Sequence, residues 1–449
     1  MELVLADPAM KSIIEGAKEC FLPPPEKREP NYLDNLHIIF FEQIFETIDN
    51  LSDQVRMARA YPQFLSNILK IWQKRLDMIV GPNTAFLGLL DIEDYVFFMD
   101  HMADRFRELH VHEDGVGSFA EFFEYIRHLN DINVTRLPGV ETCVLAGNPN
   151  TVIDDDIRDL TLMLPNLRRL TSCMNISGGY IWCFQKLEEL VFHSMYHSLP
   201  LDSRWIQEIC LSMTQLRVLD ITDHFDSGVR LTGIKLPNLE VLKINLSSVE
   251  CMIPDVLQLP KLKKLAVRFD DSRQLHADQE TIFQQIVVAK SESISRIALN
   301  NEVVQLPPRW HQSLLLELPQ LRKLVCENWY HDDFFLDCQH IPCPQMEVLS
   351  FSGWEIVREY QLLEMVAECT SLQHLALNGY HSNAGRLSKL VQIRREEKNA
   401  QPLQVFSDIM WTTLMPEEYQ QWSADKYVQA TCDGSEYDYQ EDGFEFDFV

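Results

Sequence analysis

The sequence predicts an α/β solenoid: a curved array of parallel strands with outer helices, preceded by a small helical module. Three observations predict it. A short leucine phrase recurs, as LPNLRRL at 164–170, LPNLEVL at 236–242, LPKLKKL at 259–265 and LPQLRKL at 318–324. Amphipathic helical stretches fall between copies of the phrase, and a separate helical pattern precedes the first of them. Recurrence of this kind marks stacked units, none of which can bury its apolar face alone.

The phrase has the general form apolar-x-x-Leu-x-apolar. Its heads align at Leu167, Leu187, Leu216, Leu239, Leu262, Ile294, Leu321, Met346 and Leu372, with gaps of 20 to 32 residues and a mean near 26. Two degenerate heads precede them, Phe106 in FRELHV and Val140 in VETCVL. The spacing resembles that of leucine-rich repeats, in which each unit gives one short strand and a helical or extended return. The Asn of the strict repeat phrase is mostly missing and the gaps vary, as in the irregular, helix-bearing class.

Taken in order, residues 1–30 end in FLPPPEKREP and read as a tether, because consecutive prolines stiffen the chain and bar a helix interior. Residues 31–75 form a helical module with apolar side chains at Ile44, Phe45, Ile48, Val55 and Met57. Residues 76–105, which include GLLDIEDYVFFMDHMADRF, read as a helical connector. The repeats occupy 106–410. Their helical halves are visible at 153–164, 203–213 and 360–369, where apolar residues recur every three to four positions. Asp154 and Ser203 are candidate N-caps, since a short side-chain oxygen can accept from a free N–H of the first turn. The recurring prolines suit a helix exit, with fixed φ and no N–H. Each inward leucine contributes roughly 1.5–3 kcal/mol by leaving water. Residues 411–431 read as a C-terminal cap. Residues 432–449 contain seven acidic side chains, five aromatics and no Lys or Arg, a composition that opposes collapse and predicts a disordered tail.

Within the helical module, LDNLHIIFFEQIFETIDNLSDQVRMARAYPQFLSNILKIWQKR (33–75) resembles an F-box. Leu36 matches the opening Leu of that pattern, and His37 stands where Pro is usual. Ile44 and Phe45 match the Ile-Phe pair, and Ile48 the next apolar position. Asn50 to Asp53 supply the polar break. Val55 and Met57 fall on the following helix, and Phe64 lies near the terminal Trp. Tyr61-Pro62 replaces the common Val-Cys. An F-box-like segment followed by irregular leucine-rich repeats is the order of F-box/leucine-rich-repeat proteins. The resemblance implies a non-catalytic subunit of an SCF-type ubiquitin ligase. Leu36, His37, Ile44, Phe45, Ile48, Val55, Met57 and Phe64 would bind the small adaptor and through it the cullin, and the repeats would hold the substrate. The alternative is a ligase-independent repeat scaffold, with residues 33–75 serving only to cap the first repeat.

Side chains alternate along a strand. With the head as the first position, the fourth and sixth positions point inward, and the third, fifth and seventh line the exposed face. Arg169, Lys243, Lys264, Arg268, Arg296 and Lys323 fall on that face, with His374 further on; Glu189, Asp220 and Glu327 are the anions among them. In a chain with 67 acidic and 39 basic residues, this gathering of cations predicts a groove for an acidic or phosphorylated protein segment.

A net charge of −28 argues against nonspecific nucleic-acid or membrane binding, which needs cations. No apolar run reaches membrane-spanning length, and MELVLADPAMK lacks a secretory pattern. The 11 scattered cysteines then read as reduced thiols of the cytoplasm or nucleus, and Asn133, Asn175 and Asn245 as chance sequons. Cys326 with Cys338, His340 and Cys343 has unsuitable spacing for zinc. His110 and His112 with Glu113 and Asp114 read as exposed strand residues. No phosphate loop, nucleophile elbow or paired helical His motif occurs, so no cofactor, metal or catalytic residue is expected.

Overall fold

A computed structural model of the chain describes residues 38–48, 50–75, 78–81, 92–112, 136–146, 154–174, 176–193, 201–222, 235–245, 258–269, 285–301, 318–327, 343–352, 366–378, 389, 392, 403–406 and 428–431. The chain divides into two compact units, Met1–Leu76 with Phe86–Met102, and Asp77–Ala85 with Ala103–Val449.

The first unit is helical. Among the described residues its helices are α1 (Ile38–Glu46), α2 (Leu51–Ala60), α3 (Leu65–Arg75) and α4 (Ile92–Met102). The polar break before α2 works as a cap: the Asn50 side chain accepts from the Ser52 N–H at 2.8 Å. Helix α2 stops at Tyr61 because Pro62 disfavours the helical region for its predecessor, and a 3₁₀ turn, Pro62–Phe64, follows. Phe45, Val55, Phe64, Ile68, Trp72, Phe98 and Met99 form the buried interior. The Trp72 ring stands 6.1 Å from Phe45 and 5.0 Å from Phe98, in tilted and edge-on arrangements. Its Nε1–H donates to Gln54 Oε1 at 2.8 Å, and the Gln54 amide donates in turn to the Ile48 carbonyl. Helix α4 also supplies Asp94, which is buried and accepts from Arg56 at 3.2 Å and from Arg59.

The second unit is a parallel sheet. Its strands are β1 (Met78–Gly81), β2 (Glu108–His112), β3 (Thr142–Ala146), β4 (Arg169–Cys173), β5 (Glu189–Phe192), β6 (Val218–Asp220), β7 (Val241–Asn245), β8 (Lys264–Phe269), β9 (Arg296–Asn301), β10 (Lys323–Glu327), β11 (Val348–Ser352), β12 (His374–Asn378), β13 (Leu403–Phe406) and β14 (Val428–Thr431). Among the described residues they form one 14-stranded sheet in strict sequence order. Every head lies two residues before a strand, and the two degenerate heads, Phe106 and Val140, introduce β2 and β3. This is an α/β solenoid-like arrangement. The stretch 76–105 holds β1 as well as α4, and β13 and β14 extend the sheet past the last recognised head.

The phrase LPxL is a turn. The N–H of Leu167 donates to the Leu164 carbonyl, and Leu239 to Leu236 and Leu321 to Leu318 repeat the pattern. Proline at the second turn position has its φ already set. The head is then buried, and so is the fourth position. Leu170, Leu190, Leu219, Leu242, Leu265, Ile297, Leu324, Leu349 and Leu375 pair in register on successive strands, each almost wholly buried. Asn166 and Asn238 sit in the turn and donate to the Pro138 and Thr214 carbonyls of the preceding turn.

The gap between heads sets the return. Among its described residues, the 20-residue gap from Leu167 to Leu187 holds a 3₁₀ turn, Ile181–Cys183, and no α-helix. It is entered through Gly178 at φ 92° and Tyr180 at φ 63°. The preceding gap carries α5 (Asp154–Met163) and the 29-residue gap that follows carries α6 (Ser203–Ser212). The caps differ from those expected. Asp202, one residue before Ser203, caps α6 by accepting from the Arg204 N–H. Asp154 instead accepts from the Ser177 N–H at 2.9 Å, in the next repeat.

Candidate functional site

The sheet face opposite the core presents the third, fifth and seventh positions of each repeat. Strand pairing turns these into ladders running across the sheet. The third-position ladder reads Glu108, Thr142, Arg169, Glu189, Val218, Val241, Lys264, Arg296, Lys323, Val348, His374 and Gln404. Lys264, Arg296 and Lys323 therefore stand side by side on β8, β9 and β10, and Val241 and Val348 occupy the flanking rungs. Neighbouring strands are about 4.8 Å apart, so three cations crowd into a span of roughly 10 Å.

The fifth-position residues beside that row are Ala266, Ala298 and Val325, which join Val241 in a buried apolar cluster. The seventh position adds Arg268 on β8 and Asn300 on β9. The crowding shows in the acidity of Lys264. Burial, and then the Arg296 and Lys323 charges, push its ammonium pKa down from 10.5 to about 8, and Glu240 pulls weakly the other way.

Two face residues are not available as expected. Asp220 and Lys243, in register at the fifth position of β6 and β7, form an ion pair at 3.1 Å and are 3% and 2% exposed. Asp220 also accepts from the Thr222 N–H and hydroxyl. Lys323 is also buried, whereas Lys264, Arg268 and Arg296 are half-buried. Arg169 is exposed and pairs with Glu189 at 3.4 Å on the next strand. His374 is half-buried, its rings stack with Phe406, and burial lowers its pKa. Glu327 belongs to β10, and its side chain lies outside the described residues. The face thus resolves into a compact cationic row and a separate, internally paired acid–base patch, not one continuous basic groove.

A feature missed in sequence runs one position earlier. Second-position residues alternate in sign from repeat to repeat. Arg168 contacts Glu141 at 3.9 Å and Glu188 at 2.7 Å; Arg217 contacts Glu188 at 4.0 Å and Glu240 at 3.6 Å; Lys263 contacts Glu240 at 3.5 Å; Arg322 contacts Glu347 at 3.3 Å. The letters after the nine heads from Leu167 to Leu372, R-E-R-E-K-S-R-E-Q, carry that signal in plain view. The alternation lapses at Ser295, beside the cationic row.

In the helical unit, Leu36 and His37 lie outside the described residues. Phe45, Val55 and Phe64 are buried inside the unit, and Ile48 and Met57 are half-buried. The buried three belong to the module's own interior, which α4 completes, so they are not contact residues for a partner. Among the described side chains of α1, Phe40 and Ile44 are exposed apolar ones, at 58% and 40%. Phe40 was not singled out in sequence, because the apolar run IIFF does not say which side faces outward.

Cys143, Cys326, Cys343 and Cys369 are buried, and burial raises the Cys143 thiol pKa. Cys338 and His340 lie outside the described residues, and His110 pairs with Glu108 at 3.0 Å. Among the described residues, no three His, Cys, Asp or Glu side chains gather as a metal site. Nor is any described helix long and apolar enough to cross a membrane.

No family model matches the sequence, and no curated protein matches it. Among solved structures, the crystal structure of a Bacteroides fragilis protein, a structural genomics target, is similar at 13% identity. The match covers 76% of this chain and 75% of that one, with a TM-score of 0.30.

Proposed function

We propose that the chain is a non-catalytic substrate receptor of an SCF-type ubiquitin ligase. The helical unit docks the adaptor, and the sheet face holds a protein substrate. Such a receptor acts by position, raising the effective concentration of a substrate lysine near the ubiquitin-charged enzyme. The supporting observation is the pairing of two parts: a short helical unit with an exposed apolar stripe, Phe40 and Ile44 on α1, and a long parallel repeat sheet. Isolated exposed apolar residues are ordinary, but two at a spacing of four on one helix form a docking edge of the kind helices use.

A pull-down of the full chain against the SCF adaptor tests this. Wild type recovers the adaptor, and Phe40→Ala with Ile44→Ala reduces recovery at least tenfold, with Leu162→Ala on α5 as an exposed control. Recovery by neither protein, or equal recovery by both, rejects the reading. Phe45→Ala is unsuitable as a test, because it empties the interior of the unit.

One observation favours a second reading, a ligase-independent scaffold. The apolar interior of α1 to α3 is closed by α4, through Phe98 and Met99, so no partner is needed to complete it. In that case the unit folds alone and the adaptor is not captured.

A further inference from the structure

We propose that Cys343 and Cys369, at the same turn position of two consecutive repeats, are a reversible thiol–disulfide pair whose oxidation clamps β11 to β12. The pair sits in the turns that lead into those strands, and the inference stands whether or not the chain is a ligase receptor.

Three residues before the head, a turn carbonyl accepts from the head's N–H in most repeats. That position holds Leu164, Phe184, Met213, Leu236, Leu259 and Leu318, all buried, with Ser291 the polar exception. Before the last two recognised heads, Met346 and Leu372, it holds Cys343 and Cys369 instead. Both keep the turn: Cys343 accepts from the Met346 N–H and Cys369 from the Leu372 N–H, each at 3.1 Å. Two neighbouring rungs of a stack otherwise built from large apolar side chains thus carry the same small, oxidisable one. A single buried cysteine is ordinary as a small apolar residue. Two on adjacent rungs break the pattern twice at one spot, which is what a functional site does to a regular repeat.

The register brings the two thiols together. Strands β11 and β12 pair from Val348 with His374, five residues after each cysteine, to Ser352 with Asn378. The turns are tied as well, since the Gln373 N–H donates to the Glu347 carbonyl at 2.9 Å. Equivalent residues of neighbouring strands are about 4.8 Å apart, within the Cα separation of roughly 4.4–6.8 Å that a disulfide spans. The two side chains already meet in a hydrogen bond. That bond from Cys369 outweighs burial and the Glu368 charge, and holds the Cys343 thiol below its ordinary pKa; Cys143, with burial alone, is pushed up. Cys343 is also the outer of the two, at 9% exposure against 0%. Cys343 is therefore the attacking thiolate and Cys369 the resolving thiol. The oxidant is a low-molecular-weight disulfide such as oxidised glutathione. The Cys343 thiolate attacks one of its sulfurs, the S–S bond breaks, and one small thiol leaves. Cys369 then gives up its proton, attacks the Cys343 sulfur of the mixed disulfide and expels the second small thiol. Two protein thiols are oxidised to one disulfide, and the small disulfide is reduced to two thiols that take up the two protons. The new bond closes a loop of 26 residues, one repeat, so β12 has less conformational freedom to gain by parting from β11.

The experiment uses the full chain, first reduced and then incubated with oxidised glutathione. Peptide mapping by mass spectrometry, after alkylation of the remaining thiols, reads the pairing, and amide hydrogen exchange reads the clamp. The expected result is a Cys343–Cys369 disulfide that dithiothreitol reverses, with exchange at the β12 amides at least tenfold slower than in the reduced chain. Cys369→Ser should trap a glutathione adduct on Cys343, and Cys343→Ser should leave Cys369 unmodified. Cys369 joined to any other cysteine, or both thiols still reduced, overturns the proposal, and that result is read on wild type without any variant having to fold. A disulfide that forms no faster in the folded chain than in urea overturns it too, because the fold then contributes nothing to the pairing. Equal exchange at β12 in the oxidised and reduced chains overturns the clamp.

Discussion

Among single residues, the Asp220–Lys243 pair shows how sequence position and environment part company. Both residues occupy a face position by alternation, and both are nearly fully buried. Removing one partner leaves a charge in the interior, so Asp220→Ala should cost about 3–5 kcal/mol in urea unfolding. Replacing both, with Asp220→Leu and Lys243→Met, should cost far less, because the desolvation penalty goes with the charges. If the double variant is as unstable as the single one, the pair is not the source of the loss. Lys264 gives a prediction of the opposite sign. Its pKa is about 8 in the folded chain against 10.5 ordinarily. Below pH 8 the ammonium is charged in both states and its crowding costs stability. As pH rises from about 8 towards 10.5, the folded state loses the proton first and the cost fades. Lys264→Gln should therefore stabilise by about 1 kcal/mol at neutral pH, a figure already reduced for solvent screening, and the gain over wild type should vanish near pH 10.5. A gain that persists at high pH would point to packing, not charge. The inward leucines were legible because burial follows from period alone. The burial of Lys243 was not, since alternation says which face a residue is on but not how much of that face is open. A hint was present: consecutive repeats carry Asp and Lys at the same position.

Among elements, the strand that follows each LPxL turn is the readable part, and what joins the strands is the part that escaped. A strand needs only an apolar rhythm of two, and the turn announces it with a proline and a leucine. The returns vary from a 3₁₀ turn to a ten-residue helix, set by how much chain each gap supplies. Strands β1, β13 and β14 were missed because their heads, near Leu76, Pro402 and Lys426, lack the leucine phrase. They are held by pairing with a neighbour more than by a rhythm of their own. The second-position ladder was overlooked because each charge looks like ordinary surface. Only comparison between repeats shows the alternation. Its energetic weight is small per contact. Burial alone would raise the Glu240 pKa, but Lys263 and Arg217 outweigh it and hold the carboxylate below its usual range. Its contribution is thus present at neutral pH and lost as pH falls below that range. Glu240→Gln should cost no more than about 1 kcal/mol at low salt, and the cost should shrink at about 1 M salt. A loss of several kcal/mol, insensitive to salt, would mean that Glu240 supports the turn and not the ladder.

For the whole molecule, one physical statement carries the rest: each repeat adds a single strand, and the fourth-position side chains stack in register from strand to strand. The third-position cations are neighbours only if that register holds. Leu265→Ala should show the cooperativity of such a stack, costing about 2–5 kcal/mol although it is one methyl cluster among many. The helical unit carries an expectation by resemblance alone, because a few apolar positions do not distinguish an interior from a docking edge; Phe45 is buried and Ile44 exposed. The most direct measurement is methyl-resolved nuclear Overhauser spectroscopy on the full chain with labelled Ile, Leu and Val. An unbroken chain of contacts is expected from Leu219 through Leu242, Leu265, Ile297, Leu324 and Leu349 to Leu375. Contacts that skip Ile297, or that join Leu265 directly to Leu324 without it, would contradict the register and with it the cationic row.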